Sequence, residues 1–269
     1  MDGATLGGVS ATALWTLRNR AVHAAGPDPW LIDPWAVTLY ESIRYDWDRF
    51  GSPSPSHALR ATAVDTEIRR YLAERPGATV VALGEGLQTT LWRVDPPKAR
   101  WLAVDLAAVM ELRAQLLPGD ERVTPLALSA TDRAWFDAVG DPEAGVFLCA
   151  EGLFMYLDEA DVVALIAECA ERFPGGRLLF DSIPPWFSRR TMRGFALSDR
   201  FTAPPMPTGL TPARIRRELG ALPGVARVEG IEMPLGRGVW GSRTLRAVGS
   251  IPPLPQLAPS MHLLTFAER

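Results

Sequence analysis

The sequence predicts an α/β fold built on a doubly wound parallel sheet, and three observations carry that prediction. From residue 78 onward, short apolar runs rich in β-branched residues alternate with stretches of helical periodicity, the pattern of βα units whose strands are buried on both faces. The first run enters a turn with two glycines, VVALGEGLQTTLWRVD over residues 80–95, and an apolar pattern with helical spacing resumes at Leu87, Leu91 and Trp92. The second run ends in Asp105, roughly 20 residues after the second glycine, where a strand-end carboxylate meets a nucleotide in Rossmann-like sheets.

The elements follow in order. A first helix is expected from Ser10 or Thr12, either of which can cap it, with Leu14, Leu17, Ala21 and Ala24 at helical spacing until Gly26 and Pro27. A second begins at Pro34, residues 51–56 (GSPSPS) form a loop, and ALRATAVDTEIRRYLAER is strongly helical up to Pro76 and Gly77. The strands of the core are TVVAL, RWLAVDL, RVTPLAL, GVFLCAEG and GRLLFDSI. Between them lie a helix from Leu87, then AAVMELRAQLL, a short segment containing AWFDAV, and DEADVVALIAECAERF. Residues 183–212 are proline-rich without a clear period, TPARIRRELGAL resumes a helix, and GVARVEGIEMP, SRTLRAVGSI and MHLLTFAE are strand candidates for an antiparallel edge. The expected organisation is an N-terminal helical lid over 1–77 and a nucleotide-binding α/β core over 78–269, with 183–222 inserted as a substrate cover.

Composition narrows the function. The chain has 269 residues, 47% hydrophobic and 22% charged, with a formal charge of −3, so it lacks the basic excess that sequence-independent nucleic-acid binding requires. Cys149 and Cys169 lie in apolar segments and read as buried thiols, and no zinc spacing is present. No apolar run approaches the ~20 residues of a membrane span and the start lacks a secretory pattern, so a cytoplasmic protein is expected.

The glycine turn admits three chemistries. Gly84 and Gly86 supply two glycines of a dinucleotide fingerprint, but Thr89 stands at the third, and no Gly-Lys-Ser/Thr phosphate loop exists. Asp105 would accept hydrogen bonds from ribose hydroxyls of NAD or of S-adenosylmethionine equally well. Glu85, inside the turn, would repel a pyrophosphate and is tolerable beside a sulfonium, which tilts the turn toward methyl transfer. An NAD-dependent oxidoreductase remains the rival enzyme at this point.

The ordered set SATALWTLRNRA, DPWLIDPWAVTLYESI, ALRA at 58–61, VVALGEGLQTTLWRVD, RWLAVDLAAVMELRAQLLP, LSATDRAWFDAV, VFLCAEGLFMYL, RFPGGRLLFD and MHLLTFAER resembles the leucine carboxyl methyltransferase superfamily, in particular its bacterial polyketide O-methyltransferase branch. The resemblance implies a class I methyltransferase fold using S-adenosylmethionine. It implies that Arg60 pairs with the cofactor carboxylate, that Gly84, Glu85 and Gly86 pass its methionyl part, and that Asp105 with Leu106 takes the ribose. Ser129 and Ala130 would border adenine, Glu151 would be a cofactor-side glutamate, and Tyr156 would line the reacting site. Each has a plainer role open to it: Arg60 as a surface arginine, Glu151 as a helix-start carboxylate, Tyr156 as a core aromatic. Two positions depart from the family pattern. Gln88 replaces an aspartate, and Glu85 stands where a small residue or cysteine is usual, which keeps open a homologue that binds the cofactor without transferring methyl.

Methyl transfer needs a protein base only if the acceptor arrives protonated. Of the three histidines, His23, His57 and His262, only His57, beside Arg60 at a loop end, is a candidate base; His262 belongs to an apolar strand. The scarcity of bases favours a carboxylate acceptor over a hydroxyl. Arg189, Arg190, Arg193 and Arg200 of the cover are candidates to hold it. Tryptophans 15, 30, 35, 47 and 186 suit a small apolar or aromatic substrate.

Overall fold

The computed structural model describes Gly3 and residues 6–268 of the chain. Its centre is a seven-stranded sheet in the order β3-β2-β1-β4-β5-β9-β8. Strands β1 (Thr79–Leu83), β2 (Arg100–Asp105), β3 (Val123–Ala127), β4 (Val146–Ala150) and β5 (Arg177–Ser182) are parallel; β8 (Val225–Ile231) and β9 (Ser260–Phe266) close one edge antiparallel. The order in which strands are added reverses between β1 and β4, and the crevice above their carboxyl ends is where such sheets hold ligands. Pro125 is tolerated because β3 is an edge strand, paired only with β2.

Alternate residues of the buried strands feed two cores. Val81, Leu83, Leu102 and Val104 pack against α6 (Glu159–Arg172) through Val162, Leu165, Ile166 and Cys169. Val80, Ala82, Trp101 and Ala103 face the other way, onto Val64, Ile68, Tyr71 and Leu72 of α3 (Ser56–Glu74). A third core joins α1 (Thr12–Ala24) and α2 (Pro34–Ser42) to Leu87 and to Val109 and Leu112 of α5 (Ala107–Leu116). Both cysteines are buried and free, as their apolar surroundings predict.

The N-terminal helices are bound to the sheet by buried charge. Asp33 caps α2 through Ala36 N (3.0 Å) and accepts from Arg20 (2.6 Å) and Arg93 (3.0 Å). Arg93 also grips Asp65 with two 2.9 Å bonds, and Arg20 reaches the Leu87 carbonyl at 2.7 Å. Arg20 and Asp33 are completely enclosed, so this network ties α1, α2 and α3 to the glycine turn.

Three local expectations, on the cap of α1, the start of α4 and the segment SRTLRAVGSI, are corrected. Neither Ser10 nor Thr12 caps α1: a 3₁₀ turn, Gly8–Ala11, runs directly into it, and the Thr12 hydroxyl bonds back to Val9 O. The helix after the glycine turn, α4, covers only Thr90–Val94 rather than starting at Leu87. The Gly86 and Gln88 carbonyls there accept from Arg113, both at 2.8 Å, and Leu87 is drawn into the third core. AWFDAV forms a 3₁₀ helix within Arg133–Val139. SRTLRAVGSI is helical, not a strand: Ser242 caps Leu245 N (3.2 Å) at the start of a helix, Arg243–Gly249, and the antiparallel edge consists of β9 and β8.

The proline-rich segment over 183–222 holds more regular structure than its sequence implies. It holds α7 (Pro185–Met192), a small hairpin of β6 (Phe195–Ala196) and β7 (Thr202–Ala203), and α8 (Pro212–Arg214), which passes into a π-helical turn, Ile215–Leu219. The helix Arg243–Gly249 is α9.

Candidate active site

Above the carboxyl ends of β1, β2 and β4 lies a cavity of about 1080 Å³. Every residue expected at the cofactor or the reacting atoms borders it: Arg60, Gly84, Glu85, Gly86, Asp105, Leu106, Ser129, Ala130 and Glu151, with His57 and Tyr156. The folding reason lies in the two glycines. Gly84 (φ +62°) and Gly86 (φ +56°) adopt a backbone that side chains disfavour, and a Cβ on Gly84 would stand 2.8 Å from Leu153. Gly84 N and Glu85 N donate to Val104 O at 2.8 and 3.3 Å, folding the turn over β2.

Asp105 completes the turn. Its two oxygens accept from Gly86 N (2.6 Å) and Leu106 N (2.7 Å). Burial raises its pKa, against the pull of those two N–H groups. Leu106, next in the chain, is 50% exposed within the cavity wall, an apolar surface open to a flat ligand. Ser129 and Ala130 follow β3; Ser129 Oγ bonds Thr131 Oγ1 (2.8 Å) and Ala130 O accepts from Trp135 Nε1 (3.1 Å).

Glu85 is turned away from the cleft. Its side chain is 1% exposed, 3.2 Å from Arg113 Nη2 and 3.1 Å from Trp101 Nε1. Burial raises its pKa and Arg113 opposes the rise. The charge that the sequence places in the turn is therefore matched from inside the protein. Arg113, which sequence reasoning missed, lies on α5 at a position that reads as ordinary surface.

Arg60 stands at the opposite wall. Nε donates to Glu151 Oε1 (2.8 Å) and Nη1 to Asp181 Oδ2 (2.9 Å). Burial works against its charge, but Asp181 and Glu151 outweigh it and raise the pKa above the ordinary arginine value. Its Nη2 has no hydrogen-bond partner among the described residues. Gln88 Nε2 donates to the same Glu151 oxygen (2.9 Å), while Gln88 Oε1 is buried without a partner. Asp181 also accepts from Gly152 N (2.5 Å). It too was missed; a carboxylate inside the apolar strand GRLLFDSI was the available signal.

These groups fit S-adenosylmethionine. A free guanidinium nitrogen, a carboxylate and an unsatisfied amide oxygen form one corner suited to an amino-acid end, and Asp105 and Leu106 form another suited to a nucleoside. Among the described residues no cluster of His, Cys, Asp and Glu is placed to hold a metal.

The wall of the cavity around Tyr156 is apolar. Tyr156 belongs to the 3₁₀ turn Phe154–Tyr156 and packs with Met155, Ile183, Met206, Phe187 and Phe195. Burial pushes its pKa up to about 12, with Thr12 and Arg60 opposing. His57 lies nearby on α3, its Nδ1 2.8 Å from Asn19 Nδ2 and its ring edge-on to Trp15. Burial, then the charges of Arg60, Arg20 and His23, hold its pKa well below the ordinary value. Those causes disfavour the charged imidazole, which weighs against the use of His57 as a base.

The four cover arginines do not reach the cavity. Arg189, Arg190, Arg193 and Arg200 are exposed; Arg190 lies over Phe195 and Arg200 pairs with Asp46 (2.9 Å). They sit on the outer side of α7 and of the hairpin, whose apolar faces turn inward. The cavity also has a second wall that was not anticipated, from β8, α9 and the start of β9, carrying Arg246 and Ser260. His262 is a core residue of that strand, as its apolar neighbours predict.

A family model for leucine carboxyl methyltransferase matches residues 13–170, more than half of the chain. The tetracenomycin polyketide synthesis O-methyltransferase TcmP of Streptomyces glaucescens is 34% identical over 188 residues, covering 68% of this chain and 69% of that one. The S-adenosyl-L-methionine-dependent methyltransferase dpfgK of Gibberella zeae is 27% identical over 202 residues, covering 66% and 67%. Among solved structures, a Thermobifida fusca protein superimposes with a TM-score of 0.58 at 16% identity over 94% of both chains. The N-methyltransferase NodS of Bradyrhizobium japonicum, bound to S-adenosyl-l-homocysteine, gives 0.50 at 12% identity, over 94% of this chain and 99% of NodS. At these identities the structural likeness bears on the fold alone.

Proposed function

The chain belongs to the leucine carboxyl methyltransferase family and is an S-adenosylmethionine-dependent methyltransferase, and from that premise we propose that it methylates the carboxylate of a small apolar or aromatic molecule, of the polyketide kind named for the Streptomyces relative. One observation carries the reading: among the described residues that border the cavity, each candidate base is held protonated, made weakly basic by burial, or paired with an arginine. Burial raises the pKa of Tyr156 and lowers those of His57 and His262, Glu232 pairs with Arg246 (3.6 Å), and Glu151 and Asp181 are both engaged by Arg60. A phenol, with a pKa of about 10, would have to give up a proton there, whereas a carboxylate, at about 4, arrives as the anion.

S-adenosylmethionine, when bound, supplies a sulfonium-activated methyl group, so one C–O bond forms as one C–S bond breaks and no proton moves. In this reading Arg60 holds the cofactor carboxylate, Glu151 and Gln88 Oε1 its ammonium, and Asp105 the ribose hydroxyls, with Leu106, Ser129 and Ala130 beside adenine. Glu85 holds the turn from behind with Arg113. The cluster of Met155, Ile183, Met206, Phe187 and Phe195 excludes water and packs the acceptor's rings. Alignment of the two reactants is the main contribution the protein makes.

The test is transfer of labelled methyl from S-adenosylmethionine to matched pairs of aromatic acids and phenols, such as 1-naphthoate and 1-naphthol. Label in a base-labile methyl ester is the expected product; label found only in base-stable aryl ethers would overturn the carboxylate reading.

A further inference from the structure

We propose that His57 reads the acceptor, donating a hydrogen bond from Nε2–H to one oxygen of the acceptor carboxylate, and that Asn19 is the residue that fixes this tautomer. The inference rests on the carboxylate reading above and adds to it the group that recognises the carboxylate.

The tautomer follows from a chain of three residues. Ser54 N–H donates to Asn19 Oδ1 at 3.2 Å, which orients the amide. Its other end, Nδ2, can only donate, and it lies 2.8 Å from His57 Nδ1. Nδ1 is therefore the lone-pair nitrogen, and a neutral imidazole then carries its proton on Nε2. Asn19 is completely buried and the edge-on ring of Trp15, with centroids 5.0 Å apart, holds the imidazole plane.

Nε2 itself has no partner among the described residues, and both His57 and Trp15 border the cavity. His57 precedes Arg60 by three positions on α3, so the two side chains leave the helix on one face. The donor and the arginine thus border the same cavity.

A neutral donor suits this reaction better than a cation. The carboxylate loses its negative charge as the methyl arrives, so a positive group bound to it would stabilise the starting anion more than the transition state. An N–H dipole orients one oxygen and leaves the other free to attack. Asn19, by occupying Nδ1, keeps the imidazole in the form that can do this.

Three measurements test the proposal on the intact protein. Long-range ¹H–¹⁵N spectra of the wild type should show the Nε2–H tautomer at His57, and an Nδ1–H tautomer would overturn the proposal without any variant. His57→Phe should raise KM for 1-naphthoate roughly ten- to hundredfold, as expected for loss of a hydrogen bond to a charged group, while S-adenosylhomocysteine binds as in the wild type. Asn19→Asp, which accepts where Asn19 donates, should move the imidazole proton to Nδ1 and raise the same KM. An unchanged naphthoate KM in the folded His57→Phe protein would overturn the proposal and leave carboxylate methylation standing. A wild type that forms only aryl ethers would overturn both.

Discussion

Glu85 Oε1 lies 3.2 Å from Arg113 Nη2, and both side chains are almost wholly enclosed. The pair links the glycine turn to α5, and the same guanidinium takes the Gly86 and Gln88 carbonyls. Replacing Arg113 by Met should strand a buried carboxylate and cost about 3–5 kcal/mol of unfolding free energy. Glu85→Gln keeps an acceptor for Trp101 and leaves Arg113 the Gly86 and Gln88 carbonyls, so it should cost less than Arg113→Met while still removing the arginine's counter-ion. Chemical denaturation measures both, and a loss of cofactor affinity in Glu85→Gln would contradict the placement of this charge behind the turn.

Arg60 and Asp105 occupy opposite ends of the expected cofactor position. Arg60→Met takes from Glu151 and Asp181 their shared arginine, and Asp105→Ala removes the acceptor for Gly86 N and Leu106 N. Each should weaken S-adenosylhomocysteine binding at least about tenfold, or roughly 1.4 kcal/mol, in calorimetric titration. NAD should give no thermal stabilisation of either variant or of the wild type.

Tyr156 is held protonated, with a pKa near 12. Its replacement by Phe should lower turnover modestly and leave the pH profile unchanged. For a carboxylate acceptor, kcat/KM of the wild type should be flat from about pH 6 to 9 and fall only as the acceptor itself is protonated. A rise in rate through pH 9 or 10 that disappears in Tyr156→Phe would assign the tyrosine a proton-transfer role instead.

His262 lies buried in β9 against Phe180, with Nε2 bonded to Ser260 Oγ (2.8 Å) and Nδ1 unsatisfied. Burial, with a smaller effect of Arg216, lowers its pKa to about 4. The unfolded chain takes up this proton near pH 6.5 and the folded chain only near 4, so stability from this group is full above 6.5 and is lost as pH falls to 4. The loss is on the order of 3 kcal/mol. His262→Phe should flatten that part of the stability curve, which thermal unfolding at pH 4.5 and 7.5 will reveal.

Much of this protein is legible in its sequence, because the signals are local. The alternation of apolar strands and helical faces depends on neighbouring residues, and it specified β1 to β5, α1 to α3, α5 and α6 before any contact was known. Gly84, Gly86 and Asp105 are legible for the same reason: a turn that needs positive φ and a strand-end carboxylate are properties of short segments. The tertiary structure decided what depends on partners distant in the chain. Arg113 shortened the helix after the turn and neutralised Glu85, Asp181 reached Arg60 across the sheet, and Asn19 set the state of His57. Each is a buried polar group whose energy is set by which partner reaches it, and that partner lies tens of residues away.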